Sequence, residues 1–370
     1  MRYLKQYKLK DYKWVLAISV ILITCFSVVI VGSAKESVQS RQFYGMLIGI
    51  ALMIIISLLD YKWLIKLHWF LYGFSIFLLG SVLLFGKNVN GATRWMDLGF
   101  TTFQPSEFVK IFLIVFFAKF FSDHKENFNT VKTLALAAVL FAFPIILILK
   151  QPDLSTTISI VAVFLILLYL GGLSYKLIGT TIIIVIPITI MLLAYIVQPS
   201  QTLLAEYQQT RVLAWLYPDE YADDAAYQQT NSKIAIGSGQ LVGKGLNNNT
   251  TTSVKNGNFI LEPQTDFIFA IIGEELGFRG CCIIIMFLFF IIMQCIMIGI
   301  RAQLFAGKLI CYGVASQIGI QAFINIGVAT GILPNTGIPL PFISYGLSSL
   351  VSMFMGIGFV LNIGLQQKNR

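Results

Sequence analysis

What most constrains this chain is a series of apolar runs, each near the length needed to cross a bilayer, that recur from residue 14 almost to the C-terminus. They cover approximately residues 14–32, 43–59, 67–86, 106–121, 132–149, 155–173, 177–197, 278–300, 309–331 and 343–363. Lipid offers no hydrogen bonds, so such runs must form helices or a closed barrel. None shows the period-2 alternation of a barrel strand, which leaves helices. The charged fraction is 12%, against about 25% in soluble domains. The sequence therefore predicts an all-α integral membrane protein. It is a polytopic bundle of about ten transmembrane helices, one membrane domain over residues 1–370, with a large loop at 198–265.

Arg2, Lys5, Lys8, Lys10 and Lys13 precede the first run, and Gly32-Ser33-Ala34 resembles a signal-peptide cleavage site. The run is long for a signal peptide, so a retained first span is expected. With the N-terminus inside, Lys62, Lys66, Lys119, Lys125, Lys132, Lys176, Arg301, Lys308, Lys368 and Arg370 all fall in cytoplasmic segments. The opposite short loops hold fewer cations, so both termini are expected in the cytoplasm. The polar stretches 87–105, 198–265 and 332–342 then lie outside.

The net charge of +9 follows from this loop asymmetry and does not imply nucleic acid. All five cysteines fall inside apolar runs, without metal-binding spacing. Two histidines are too few for a triad or a zinc-protease site. The segment Gly239-Gln-Leu-Val-Gly-Lys244-Gly245 has the wrong spacing for a phosphate-binding loop. No tandem repeat or pair of interrupted half-repeats is visible, which gives a transporter no support.

Five polar stretches stand out. In Gln104-Pro-Ser-Glu107-Phe-Val-Lys110, Glu107 and Lys110 are three residues apart on one helix face. They are either a dipole glutamate and a snorkelling lysine, or an ion pair lining a polar cavity; the cost of intramembrane charge favours the cavity. Lys150-Gln-Pro-Asp153-Leu-Ser-Thr reads first as a helix cap. In the long loop, residues 203–216 form an amphipathic helix with Gln208 and Arg211 on one face. Asp219, Asp223 and Asp224 follow, then a second helix from Tyr227 ending in glycines, and a mobile tip over 247–252. The stretch 261–277 carries Asp266, Glu274 and Glu275, with Thr265 or Asp266 able to cap a helix. If residues 266–280 are helical, Asp266 and Glu274 stand about 12 Å apart along the axis. That exceeds the roughly 5–9.5 Å of paired glycosidase carboxylates, so any partner of Asp266 must come from elsewhere. Last, residues 334–349 form a proline-rich loop with Ser344, Ser348 and Ser349 near the final span.

Taken together and in order, these motifs resemble the signatures of the SEDS family (RodA, FtsW, SpoVE). The carriers are Gln-Pro-Ser-Glu-Phe-Val-Lys, Lys-Gln-Pro-Asp-Leu-Ser-Thr, Ile-Ala-Ile-Gly-Ser-Gly, Gln-Thr-Asp-Phe-Ile-Phe-Ala-Ile-Ile-Gly-Glu-Glu-Leu-Gly and Thr-Gly-Ile-Pro-Leu-Pro-Phe-Ile-Ser-Tyr-Gly. Gly243-Lys-Gly-Leu and Glu262-Pro-Gln-Thr-Asp lean toward the elongation member of the family. Leu347 departs from it, standing where the family usually shows a second glycine. The resemblance implies a peptidoglycan glycosyltransferase that polymerises lipid II at the outer face of the bacterial cytoplasmic membrane. A class B penicillin-binding protein and other elongation-complex membrane proteins would be its partners. It implies Asp266 as the catalytic residue, and a divalent cation, Mg or Mn, with ligands unknown.

The residues suit that chemistry. A lipid pyrophosphate leaves as an anion, so it needs cations rather than a general acid. One carboxylate suffices as base for an acceptor hydroxyl. Asp266 is the candidate base. Glu107, Lys110, Asp153, Gln208, Arg211, Thr265, Glu274 and Ser344 are the candidate substrate-binding residues. A lipid flippase and a non-catalytic scaffold are the rival readings. The flippase needs a path reachable from both sides, and the scaffold makes Asp266 dispensable.

Overall fold

The structure is a computed structural model that describes residues 9–89, 92–97, 99, 102–198, 200–202, 206–221, 226–247, 253, 257 and 259–367. Arg2, Lys5, Lys8, Asp223, Asp224, the 248–252 part of the expected tip, Lys368 and Arg370 lie outside the described residues.

Each of the ten apolar runs coincides with a long helix. These are α1 (Trp14–Ala34), α2 (Gln39–Leu58), α4 (His68–Phe85), α5 (Pro105–Asp123), α6 (Val131–Leu149), α7 (Leu154–Gly171), α8 (Tyr175–Ile196), α11 (Ile268–Ile300), α12 (Phe305–Ala329) and α13 (Leu347–Leu365). The one-turn helix α3 (Tyr61–Leu64) leads into α4. Among the described residues, eight segments are long and apolar enough to cross a membrane, and α5 and α8 are not among them. The α5 helix carries Glu107, Lys110, Lys119 and Asp123, yet it lies at the centre. Val109, Val115, Phe116, Phe117 and Phe121 are at most 1% exposed. A many-helix membrane protein is what this architecture shows.

Lipid does not drive helices together by the hydrophobic effect, so close packing and internal polar bonds must. α5 therefore packs against α4, α7, α12 and α13, while α13 lies along α2. Asn362 on α13 pins that last pair: its amide donates to Ser57 O at 2.7 Å and accepts from Tyr61 N at 2.9 Å. Below the middle of α5, Phe117, Phe141 and Phe164 form a dense aromatic block, with Phe141 and Phe164 stacked at 3.8 Å.

The polar segments gather at one end of this bundle. Three short strands, β1 (Lys87–Val89), β2 (Ala92–Asp97) and β3 (Thr102–Phe103), form a small antiparallel sheet in the order β1-β2-β3. No strand alternation was visible there, because the strands are too short for a period-2 signal. The large loop contains α9 (Glu206–Leu216) and α10 (Tyr227–Ser238), at the two helices expected of it.

One helix is broken and repaired by that loop. α11 leaves helical geometry at Gly277, with φ 64° and ψ −165°. Residues 240–245 insert at the break. Lys244 N and Gly245 N donate to Glu274 O and Glu275 O, at 2.9 and 3.0 Å. Phe278 N and Arg279 N donate to Gln240 O and Leu241 O, at 2.8 and 3.2 Å. Backbone groups orphaned by the kink are thus satisfied by the loop. A β-carbon on Gly277 would stand 2.4 Å from Gly243 N, so only glycine fits.

Candidate active site

Asp266 sits on the turn just before α11, not on the helix. The N-cap position is Phe267, and no side chain caps there. Capping therefore does not account for Asp266. Its place is held through the backbone. Asn325 Nδ2, buried on α12, donates to Asp266 O and to Ile338 O, both at 2.8 Å. Ser344 Oγ donates to Thr265 O at 2.6 Å and accepts from Leu340 N at 2.8 Å. Tyr345 N donates to Gln264 O at 2.8 Å. The proline-rich loop and the turn carrying Asp266 are zipped together, leaving the carboxylate to face a cavity.

That cavity measures about 310 Å³. Six of the nine candidate residues line it: Glu107, Lys110, Asp153, Arg211, Thr265 and Asp266. Arg94 from β2, Gln104, Glu262, Ser159 and Gln321 complete its polar wall. Several distant segments thus build it: the sheet, α5, the start of α7, α9, the 262–266 turn and α12.

The α5 charges form a buried ion pair, with Lys110 Nζ 2.8 Å from Glu107 Oε1 and both side chains under 5% exposed. Among the described residues, Glu107 Oε2 has no hydrogen-bond partner. Breaking such a pair strands a charge. Asp153 caps α7, as first read: its carboxylate accepts from Thr156 N at 3.1 Å and Thr156 Oγ1 at 2.8 Å. It also faces Arg94 Nη1 at 3.7 Å and accepts from Gln104 Nε2 at 3.4 Å. Arg94 in turn donates to Pro152 O. Cap and cavity wall are thus the same residue.

Asp266 is half-buried, and among the described residues its carboxylate accepts no hydrogen bond. Burial pushes its pKa from the ordinary 3.8 up to about 6. The Arg211 charge pulls it down, the Glu262 carboxylate pushes it up, and Arg94 pulls it down. This places a carboxylate where it is ionised near neutral pH yet basic enough to accept a proton.

Three candidates lie outside the cavity. Glu274 is 1% exposed and paired with Lys244 Nζ at 2.9 Å, part of the repair at the α11 break. Ser344 is buried and spends its hydroxyl on the backbone zipper. Gln208 is half-buried on α9 and does not reach the lining. Glu275 lies with both carboxylate oxygens within 2.8 Å of Ser33 Oγ.

Sequence reasoning missed Arg94, Gln104, Glu262 and Gln321 as lining residues. Gln317 and Gln321 are four apart on α12, a polar stripe inside an apolar run, and that signal was available. Arg94 stands in the polar stretch ahead of α5, but it reaches the site only through the fold of the sheet.

Comparison with known proteins gives a family. Residues 9–369 match the family model for FtsW, RodA and SpoVE, described as cell cycle protein. Peptidoglycan glycosyltransferase MrdB of Escherichia coli K12 is 34% identical over 348 residues, covering 93% of this chain and 90% of that protein. The probable peptidoglycan glycosyltransferase FtsW of Geobacter metallireducens is 30% identical over 381 residues, covering 98% and 96%. Among solved structures, a chain of a peptidoglycan synthase complex that coordinates polymerization and crosslinking superposes with a TM-score of 0.81 at 27% identity, over 95% of this chain and 97% of that one. The rod shape determining protein RodA of Thermus thermophilus superposes with a TM-score of 0.69 at 25% identity, over 97% and 98%. With motifs, helices and a family model agreeing along nearly its whole length, the chain belongs to the FtsW/RodA/SpoVE family of membrane proteins.

Proposed function

We propose that this chain is a peptidoglycan glycosyltransferase that polymerises lipid II, with Asp266 as the base. The observation that carries the reading is one carboxylate, uncapped and raised toward neutrality, in a cavity shared with Lys110, Arg94 and Arg211. The acceptor hydroxyl oxygen attacks the anomeric carbon of the lipid-linked donor as Asp266 takes its proton. The carbon–oxygen bond to pyrophosphate breaks, and the lipid pyrophosphate leaves with the bonding electrons. Arg94 and Arg211 stabilise that developing charge electrostatically, with Lys110 deeper in the cavity. No second carboxylate is needed, since the leaving group requires no proton.

The proposal places the cavity on the outer side of the cytoplasmic membrane, following the lysine and arginine distribution. A class B penicillin-binding protein is the proposed partner, supported by the likeness to a synthase complex that couples polymerization to crosslinking. Other elongation-complex membrane proteins and a role in elongation belong to the same proposal.

The expected divalent cation finds no resident cage here. Among the described residues, no group of three or more His, Cys, Asp or Glu comes together. Glu107 and Asp153 are already engaged by Lys110, Thr156 and Arg94. Mg or Mn is therefore proposed only as a counter-ion brought with the pyrophosphate, and no step above runs through it.

A flippase would need a polar path onward through the bundle. Below Lys110 the way is filled by Leu113, Phe117, Phe141, Phe164 and Leu167, which leave about 10 Å³. The test is polymerisation of purified lipid II by the unaltered chain and by Asp266→Ala, each with and without the partner and with a chelator. Loss of polymer with retained folding is expected. Polymer of ordinary length from the variant would sink the assignment.

A further inference from the structure

A second cavity of about 260 Å³ adjoins the first. Asp266 and Glu262, with Trp95, Gln104, Thr265, Gly337 and Pro339, belong to the walls of both. Beyond that seam the two differ in chemistry. The first keeps Lys110, Arg94 and Arg211 to itself. The second adds only neutral residues, with Thr102, Tyr345, Ser348 and Ser349 supplying hydroxyls and Leu347 an apolar wall.

We propose that the second cavity is the acceptor-sugar subsite, and that Leu347 sets its size. This rests on the glycosyltransferase reading above. A pyrophosphate needs cations, and among the described residues those lining the two cavities lie on one side of Asp266. An acceptor sugar is neutral there; it needs hydrogen-bond donors and acceptors, and the second cavity supplies these without a cation. Ser348 Oγ accepts from Gln104 N at 3.0 Å, which fixes its position and leaves its proton to give. Among the described residues, Ser349 Oγ and the Tyr345 hydroxyl make no hydrogen bond, so both are open to a ligand. A base in the shared wall is where inversion of roles is unnecessary: the sugar hydroxyl lies beside Asp266 on one side, and the anomeric carbon it attacks on the other. The transfer is the one already written, with the proton passing to Asp266 and the electron pair leaving on pyrophosphate.

Leu347 is held in this wall from behind. A β-carbon on Gly45 of α2 would stand 2.5 Å from Leu347 Cδ2, so the leucine packs into room that the glycine leaves. The leucine closes space that a smaller residue would leave to the ligand. It is a specificity-determining residue for the acceptor.

The test couples two one-sided substrates. One is lipid II with its acceptor hydroxyl blocked, which serves only as donor. The other is a lipid II analogue whose anomeric oxygen is replaced by a methylene, which serves only as acceptor. Ser348→Ala combined with Ser349→Ala is expected to raise KM for the acceptor-only substrate about tenfold, the loss of one to two hydrogen bonds. KM for the donor-only substrate should not move. Ser348→Thr keeps the hydroxyl and should restore most of the loss. Leu347→Gly should accept an analogue with a bulkier amide on the acceptor sugar, which the unaltered chain rejects. Equal effects on both KM values, or no effect on either, would overturn the assignment, as would unchanged acceptor selectivity in Leu347→Gly. Failure of the unaltered chain to couple the two substrates would instead overturn the glycosyltransferase reading itself.

Discussion

A β-carbon on Gly337 would lie 3.4 Å from Asp266 Oδ2, in van der Waals contact with the carboxylate. The φ of Gly337 is +76°, a conformation that costs most side chains roughly 1–2 kcal/mol. The glycine lets the proline-rich loop pass the carboxylate without covering it. Gly337→Ala should therefore cut kcat about tenfold or more. The fold should survive, with a modest drop in thermal midpoint. Steady-state polymerisation alongside thermal unfolding in detergent checks this, and full activity would show that the approach to Asp266 is not needed.

The raised pKa of Asp266 predicts a pH profile with a definite sign. A base must be ionised, so kcat/KM should rise about tenfold per pH unit below 6 and level off above it. Folding stability should run the other way. The folded protein favours neutral Asp266, so this contribution is fully present below the unfolded value of 3.8 and lost as pH rises through about 6. Asp266→Asn should accordingly unfold at an equal or higher temperature than the unaltered chain at pH 7.5 while making no polymer. A variant that is inactive and also clearly less stable at that pH would point to a structural role instead.

These outcomes show where sequence was enough. Asp266, Glu107 and Lys110 were legible because a charge beside or within an apolar run has few places to go but a cavity. Asp153 was legible as a cap, and its second role appeared only when the sheet brought Arg94 to it. Glu274 was misread as a cavity residue for the opposite reason. It belongs to the same dense motif as Asp266, but its partner Lys244 comes from thirty residues upstream, where the loop folds back into the broken helix. Contacts made by loops returning over long sequence distances leave no local pattern, whereas helix spacing does.

The Glu107–Lys110 pair offers a separation of stability from activity. Lys110→Ala leaves Glu107 buried without its cation, and should cost about 3–5 kcal/mol of stability. Replacing both, as Glu107→Gln with Lys110→Met, removes the stranded charge and should recover most of that loss. Activity should not recover, because the cavity still lacks its deepest cation. Measuring unfolding and polymerisation for the two variants decides the matter; a double variant with full activity would reduce the pair to a structural element.

Two neighbouring glycines make the role of the inserted loop testable. A β-carbon on Gly239 would stand 1.9 Å from Gly273 O, on the backbone of α11, where neither chain can yield. For Gly237, two residues earlier on α10, nothing among the described residues lies within 4 Å of the same position. Gly239→Ala should therefore push the loop from the break in α11 and cost more than about 2 kcal/mol, within the range of severe packing errors. Gly237→Ala should be neutral or stabilise by up to about 1 kcal/mol, since alanine favours a helix over glycine. Hydrogen exchange at the amides of Phe278 and Arg279 reads the same event directly, because those groups donate to Gln240 O and Leu241 O of the loop. Faster exchange there in Gly239→Ala, with Gly237→Ala unchanged, is expected. Equal protection in both variants would mean that the loop lies beside the broken helix without holding it.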